Sequence, residues 1–221
     1  PDPAIKQEIG AVVSAIADRM IRNVIPENNY CSLRADGTRD DRGISRMWMV
    51  KWHEAARLPM IYAAAWDITG NQKYYDEYRK YIEPAINQSL DEFENTLEAT
   101  YALLQMQGSL ELLLHLETDE TLRQKIKQSM ALVSARCAQR AESATRLSMS
   151  LDLSMVAPDW RVSGGLVPPY RTVWYCIREA GEAFTVQLMD ANHAFTPAQL
   201  NMLIQCIVQL DYDRVSSCGI Y

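Results

Sequence analysis

The chain is poor in the residues that mark several large classes of protein. Its 221 residues include only nine glycines and nine prolines, fewer than a loop-rich β-sandwich or a nucleotide-cradling α/β enzyme usually carries. No stretch approaches eighteen consecutive apolar residues, so the sequence predicts no membrane span. The five cysteines are odd in number, and no two have CxxC spacing. We therefore expect buried free thiols and no structural zinc site.

Basic charge is also scarce. Lys and Arg number 22 against 28 Asp and Glu, a net charge of -6, which argues against a nucleic-acid partner and against docking on anionic lipid.

The sequence also lacks several motifs of catalysis and cofactor binding. No GxGxxG opens a helix and no GxSxG elbow is present, so dinucleotide binding and α/β-hydrolase chemistry have no support. His53-Glu54 is followed by Arg57 where a zincin needs histidine. The sequence therefore predicts neither cofactor nor metal, and His115, among leucines, is interpreted as a core histidine.

Helical periodicity runs from end to end, so the sequence predicts an all-α fold without a confident strand. We expect helices from Asp2 to the stop at Pro26, from Ser45 to Thr69 with a kink at Pro59, and from about 74 to Pro84. Further helices are expected over about 91–116, after the Thr118-Asp119 cap, over 171–189 and from Thr196. The side chains expected to face the core include Ile5, Ile9, Val12, Val13, Ile16, Met20, Val24, Leu122, Ile126, Met130, Val133, Cys137, Val173, Ile177, Phe184 and Leu188.

Two connections, ITGNQKYYDEY and ETDETLRQKI, join long helices through tight polar turns. Such turns produce antiparallel helical hairpins. The sequence therefore predicts one helical-hairpin domain over residues 1–221, built as a toroid or as an array of hairpins.

The loop over residues 27–44 is the first candidate site. It places Asp36, Asp40 and Asp41 among arginines that include Arg42 and Arg46. Neighbouring carboxylates raise one another's pKa, and paired acids are what glycosidic cleavage requires. The alternative is a solvated loop in which the Asp-Gly turn and the Arg-Asp pairs are structural.

Aromatic residues follow this loop. Trp48 and Trp52, four positions apart on an expected helix, share one face and are candidates to stack on a sugar ring, with His53 beside them. A second aromatic group, Trp160, Arg161 and Trp174, lies in or just after the long 148–170 connection. There Asp-Trp-Arg offers an acid, a stacking platform and a carboxylate clamp. The alternatives are core tryptophans in the first case and a structural plug in the second.

The order of several motifs resembles the six-hairpin (α/α) toroid glycosidases, especially the unsaturated glucuronyl and rhamnogalacturonyl hydrolases. The residues that carry the resemblance are Asn29-Tyr30, Asp36-Gly37-Thr38, Gly43, the run His53 to Leu58, and Thr69-Gly70-Asn71 with Tyr74 and Tyr78. They cover roughly residues 15–85. The family tryptophan beside the loop glycine is replaced by Arg42.

The resemblance implies a hydrolase acting on uronic oligosaccharides by general acid/base catalysis, with Asp40 and Asp41 as acid or base and Asp36 behind them. It also favours a periplasmic or secreted location. Only seven helices are expected where a toroid has twelve, so we expect an incomplete toroid with an apolar seam covered by a second copy or another segment. Two alternatives remain open: a helical module that binds a glycan or a partner protein, for which exposed Met47, Met49 and Met60 are the signal, and a toroid that kept sugar binding without catalysis.

Overall fold

The structure is a computed structural model that describes residues 2–39, 46–91, 100–150, 157–158, 166–167, 169–189 and 196–208. Within these ranges the chain is all-α, as predicted, apart from two strands of two residues each. The elements are α1 (Pro3–Asn23), α2 (Arg57–Thr69), α3 (Gln72–Asp91), α4 (Thr100–Leu116), α5 (Glu120–Ser150), β1 (Ala157–Pro158), β2 (Leu166–Val167), α6 (Pro169–Met189) and α7 (Pro197–Val208). The strands pair antiparallel, with Ala157 opposite Val167. None of the helices in these ranges is long and apolar enough to cross a membrane.

Side-chain caps begin three helices where the sequence predicted them. The Asp2 carboxylate accepts a hydrogen bond from the backbone N–H of Ala4 at 2.8 Å, and the Asp119 carboxylate accepts one from Leu122 at 3.0 Å. At α7 the Thr196 hydroxyl accepts from the N–H of Gln199, while the Gln199 side chain accepts from the N–H of Thr196. These bonds satisfy N–H groups that have no partner inside the helix.

The turn between α2 and α3 forms as predicted. Gly70 adopts a left-handed conformation with φ of 67°, and its N–H donates to the Trp66 carbonyl at 2.7 Å. The Asn71 side chain then accepts from the N–H of Lys73 at 3.1 Å. Glycine suits this position because it has no Cβ to clash in the left-handed region. The helices on either side pack against each other.

Two predicted helix boundaries are wrong, and both involve proline. The helix expected from Ser45 begins only at Arg57, after a short 3₁₀ turn over Trp52–Glu54. Pro59 therefore lies in the first turn of α2, where its missing N–H costs nothing. Conversely, α3 continues through Pro84 to Asp91. Ile82, Ala85 and Ile86 around that proline are fully buried, so tertiary packing offsets its local cost.

The chain forms two compact units. The first comprises Pro1–Leu97 and Gln105–Leu132, and in it α2 packs against both α1 and α3. Its largest fully buried side chains are Trp52, Tyr62, Tyr78, Leu58, Ile82, Ile86, Met106, Leu110, Leu113, Ile126 and the polar Gln107. These residues come from every helix that contributes to the unit except α1, so α1 lies at the margin of its core.

The second unit comprises Glu98–Leu104 and Val133–Tyr221. Small and apolar residues such as Val133, Cys137, Ala183 and Val186 fill its interior, and α6 packs against α7. Polar contacts tie α6 to its neighbours. Arg140 on α5 donates to both Glu179 oxygens at 2.8 Å, and the Thr100 hydroxyl on α4 donates to Glu182 at 2.9 Å.

The expected core faces are confirmed on one helix and wrong on another. On α5 the five residues from Leu122 to Cys137 that were expected inside are all buried. On α1 only Met20 and Val24 of the expected set are buried, whereas four others are exposed: Ile5, Ile9, Val12 and Ile16. Phe184 and Leu188 on α6 are also exposed. Periodicity identifies an apolar face, but another element must be present to cover it.

Candidate functional site

The candidate site lies in the first unit, on the connection between α1 and α2. Left-handed backbone is concentrated here: Asn29 has φ of 52°, Tyr30 of 57° and Met49 of 56°. This region is unfavourable for residues with a Cβ, at a cost of about 1–2 kcal/mol each. Such conformations persist where surrounding contacts hold them, and they are concentrated at functional sites.

Backbone pairing closes the base of this connection. Cys31 and Arg46 form an antiparallel bridge, and the N–H of Met47 donates to the Tyr30 carbonyl at 2.8 Å. The guanidinium of Arg19 on α1 donates to the carbonyl of Leu33. The described ends of the connection are therefore held next to each other and against α1.

Asp36 belongs to a tight turn in the described part of this connection. Its carboxylate accepts hydrogen bonds from the Thr38 hydroxyl at 2.7 Å and from the Thr38 N–H at 3.0 Å. The hydroxyl bond first, and then the backbone bond, holds the pKa of Asp36 below its ordinary value. Because the pKa is lowered, this carboxylate stays ionised at neutral pH and is unsuited to donate a proton.

Trp48, which follows the Cys31–Arg46 bridge, is half-buried, so part of its ring is accessible to solvent. Its ring meets Tyr81 of α3 edge-to-face, with centroids 4.7 Å apart. Tyr81 is itself buried and stacks on Tyr62 of α2 at 5.9 Å. The Nζ of Lys80 lies 4.9 Å from the centroid of the same Tyr81 ring. The half-buried Trp48 indole and the Lys80 ammonium group therefore both contact the ring of Tyr81.

Trp52 does not share this exposure. Only 2% of its surface is exposed, and its carbonyl accepts a hydrogen bond from Ser89 of α3 at 3.3 Å. The interpretation of Trp52 as a stacking residue is therefore corrected, because a buried ring offers no free face. The shared helix face with Trp48 is also absent, since residues 46–51 are not helical. His53 is buried against the Trp52 ring, with centroids 5.5 Å apart.

Most of the other predicted site residues lie outside the described residues. Those residues are Asp40, Asp41, Arg42, Trp160 and Arg161. Trp174 belongs to α6, but its side chain is not among those described. Arg46 is described and exposed. The catalytic assignment of Asp40 and Asp41 therefore stays a prediction.

The structure confirms only part of what was expected of the three methionines and does not confirm the expectation for His115. Of the three methionines that were to indicate a partner-binding surface, Met47 is buried, Met60 is half-buried and Met49 is exposed. His115 was interpreted as a core residue, but it is exposed. It lines a groove of about 580 Å³ together with Glu111 and Arg123.

Sequence reasoning missed Tyr81 and Lys80, which complete the surface around Trp48. The signal that was available is the spacing of tyrosines on α3, where Tyr74, Tyr78 and Tyr81 recur on one face and are all buried. That spacing marks a packed helix face. It does not indicate that the last tyrosine of the series would support a tryptophan from a loop.

In the described ranges no group of three or more His, Cys, Asp or Glu side chains is placed to hold a metal ion. Comparison with protein-family models, curated proteins and solved structures found no match to this chain. Chemically, the described surface offers an aromatic face and exposed cations beside a constrained connection. Such a surface suits an anionic ligand with a flat apolar side.

Proposed function

We propose that this protein is carbohydrate-active, binds uronic oligosaccharides at the surface around Trp48 and hydrolyses them with an aspartate of the adjoining loop. The observation that carries the proposal is the half-exposed Trp48 ring supported by Tyr81. A pyranose ring has an apolar face of C–H groups, which packs on an indole, and hydroxyl groups that remain in water.

Cations in the same region as this ring support an acidic sugar rather than a neutral one. Lys80 lies against the Tyr81 ring, and Arg46 is exposed two positions before Trp48. A guanidinium pairs with a carboxylate through two parallel hydrogen bonds, while an ammonium acts as a compact point charge. The protein carries net negative charge, so local cations are needed to attract an anionic chain. Glu77, whose carboxylate lies 3.6 Å from the Lys80 Nζ, offsets part of the Lys80 charge, so Arg46 is the principal cation for this role.

The hydrolytic step is assigned to Asp40 and Asp41. Asp41 precedes Arg46 by five positions in the sequence, so both aspartates are joined to the same connection as the tryptophan. One carboxyl would protonate the glycosidic oxygen while a second activates water or attacks the sugar. The low pKa of Asp36 suits it to the ionised role only.

Binding is tested by titrating the protein with an oligogalacturonate and, separately, with a neutral cello-oligosaccharide, following heat by calorimetry. Trp48→Ala is expected to weaken binding of the oligogalacturonate at least about tenfold, the value of one buried aromatic contact. Trp66→Ala is the matched control because Trp66 is also half-buried but packs on Tyr75 and Tyr78. Equal loss in both variants would contradict a specific role for Trp48.

Catalysis is tested separately by measuring the release of new reducing ends from the oligogalacturonate. Asp40→Asn and Asp41→Asn are expected to abolish turnover with little change in stability or in sugar affinity. Full turnover in both variants would refute the catalytic assignment. Binding without any turnover in the unsubstituted protein would leave a glycan-binding module.

A further inference from the structure

Helix α1 carries an apolar stripe that no described part of the chain covers. Ile5, Ile9, Val12 and Ile16, here called the α1 stripe, are 53%, 43%, 60% and 43% exposed. Their spacing of four, three and four residues keeps them on one side of the helix. A single exposed isoleucine is ordinary, but four in line on one helix form a contact surface.

The stripe is distinct from the side by which α1 joins its own unit. That side contains Gly10, Ala17, Met20 and Val24, all buried. A Cβ on Gly10 would lie 3.4 Å from the Cγ2 of Ile68 on α2, so the two helices approach closely there. At about 100° of rotation per residue, the stripe lies roughly a quarter of a turn or more around the helix from this contact.

The first two turns of α1 are exposed to solvent all around the helix, since residues 2–9 are all exposed. The helix begins there at an Asp2 cap followed by Pro3, so the local sequence specifies helical structure without help from packing. A preformed helix end with an apolar stripe loses little conformational entropy on docking.

The spacing of the stripe indicates that the occupant is another helix. Intervals of four, three and four are those of the seam in a coiled coil, where apolar positions alternate by three and four. The order of intervals, four, three and four, is the same whether the helix is followed from its N-terminus or from its C-terminus. When the helix is placed antiparallel to a copy of itself, Ile5 meets the partner's Ile16 and Ile9 meets the partner's Val12. Every apolar residue of the stripe then faces an apolar residue.

Charge on the flank of the stripe favours the antiparallel arrangement. Glu8 lies beside the first half of the stripe, and Arg19 and Arg22 follow after its last residue, Ile16. A parallel copy would align each of these charges with its own counterpart. In the register that places Ile5 opposite Ile16, an antiparallel copy places Glu8 opposite the partner's Val13, nearer to the partner's Arg19 than in a parallel copy. Opposed helix dipoles add to the preference.

We propose that α1 is a self-association helix and that two copies of the chain pair antiparallel through the α1 stripe. This proposal is independent of sugar binding, because the contacts described for the Trp48 surface join Trp48 and Lys80 to Tyr81 and do not involve the α1 stripe. Four residues bury less area than the roughly 800 Å² per partner of a standard interface. The dimer is therefore expected to dissociate in the micromolar range or above.

The experiment is sedimentation equilibrium of the full chain from about 1 μM to 1 mM. A monomer–dimer equilibrium is expected. Val12→Glu should weaken it about 100-fold, because each dimer loses two buried side chains and each is worth about tenfold. Ala11→Glu is the matched control, with the same introduced side chain one position away on an exposed site off the stripe. Val12 is 60% exposed, so helix content and melting of both variants should match those of the parent chain.

Three outcomes would overturn the proposal: a monomer throughout this concentration range, a dimer unaffected by Val12→Glu, or equal weakening by Ala11→Glu. A persistent monomer would mean that another protein or another segment covers the stripe. Orientation is tested by mixing differently tagged Ile9→Cys and Val12→Cys chains and oxidising them. Disulfides between the two variants are expected above the level of the unsubstituted chain, whereas linkage mainly within each variant would refute the antiparallel register.

Discussion

The buried carboxylate of Glu117 should be a principal source of stability in the first unit. Its side chain is 1% exposed. One oxygen accepts hydrogen bonds from the Tyr78 hydroxyl at 2.6 Å and from Arg79 at 2.7 Å. The other accepts from the N–H groups of Thr118 and Asp119, both at 2.8 Å. The carboxylate thus joins α3 to the turn between α4 and α5, and Tyr78 lies one turn before Tyr81 on α3.

The magnitudes follow from these four bonds. A hydrogen bond to a buried charged group contributes about 1.5–3 kcal/mol, so Tyr78→Phe is expected to lower the free energy of unfolding by about 2 kcal/mol. Removing one partner of a buried ion pair costs about 3–5 kcal/mol. Arg79 is 36% exposed and can be rehydrated, so Glu117→Ala is expected at the lower end, about 3 kcal/mol. The double variant should cost little more than Glu117→Ala alone, because both changes remove the same bond.

Urea unfolding followed by circular dichroism measures these differences. Tyr75→Phe is the control, since Tyr75 is on the same helix and contributes ring contacts to Trp66 and Tyr78, which a phenylalanine preserves. It should change the free energy of unfolding by no more than about 0.5 kcal/mol. If Tyr78→Phe behaves like Tyr75→Phe, or if the costs of Tyr78→Phe and Glu117→Ala simply add, the carboxylate does not act as described.

Three further predictions concern other parts of the structure. Burial raises the pKa of the Tyr62 and Tyr78 hydroxyls above the ordinary value, and for Tyr78 the hydrogen bond to Glu117 raises it further. The unfolded chain therefore releases these protons at lower pH than the folded chain, so the urea midpoint should fall as the pH rises above about 10. The fall should be less steep in Tyr78→Phe, which lacks one of the two hydroxyls. Burial raises the pKa of the Cys137 thiol to about 12, so peptide mapping after brief alkylation at pH 8 should find it modified only in denaturant, and rapid native labelling would contradict its burial. Gly70→Ala should lower the free energy of unfolding in urea by about 1 kcal/mol, because φ is 67° and the cost comes from the backbone alone, with no described atom within 4 Å of the new Cβ. An unchanged midpoint would argue against the left-handed turn.

Local signals in the sequence predicted the helices well where the decisive contacts are also local. The caps at Asp2, Asp119 and Thr196 and the turn at Gly70 each involve partners within four residues. The helix expected from Ser45 failed for the opposite reason. Its first half is held out of helical form by contacts with distant residues, such as the bond from Gln88 to the Val50 carbonyl at 2.6 Å.

The candidate site also has one part that the sequence predicted and another that depends on distant contacts. The sequence indicated the connection between α1 and α2, with its aspartates, arginines and tryptophans, because residue type and spacing are visible there. It did not indicate which tryptophan is buried. Trp48 is half-exposed and Trp52 is in the core, a distinction made by Tyr81 and Ser89 of α3, which are more than thirty positions away in the chain.

By itself, the sequence determined that this protein is helical, where most of its helices begin, and which stretch concentrates acidic, basic and aromatic side chains. These properties depend on backbone hydrogen bonding and side-chain chemistry within a few residues. Only the tertiary structure decided which apolar faces are covered. The α5 face is buried and the α1 stripe is not, although both show the same periodicity, because burial depends on which elements the rest of the chain places against a helix.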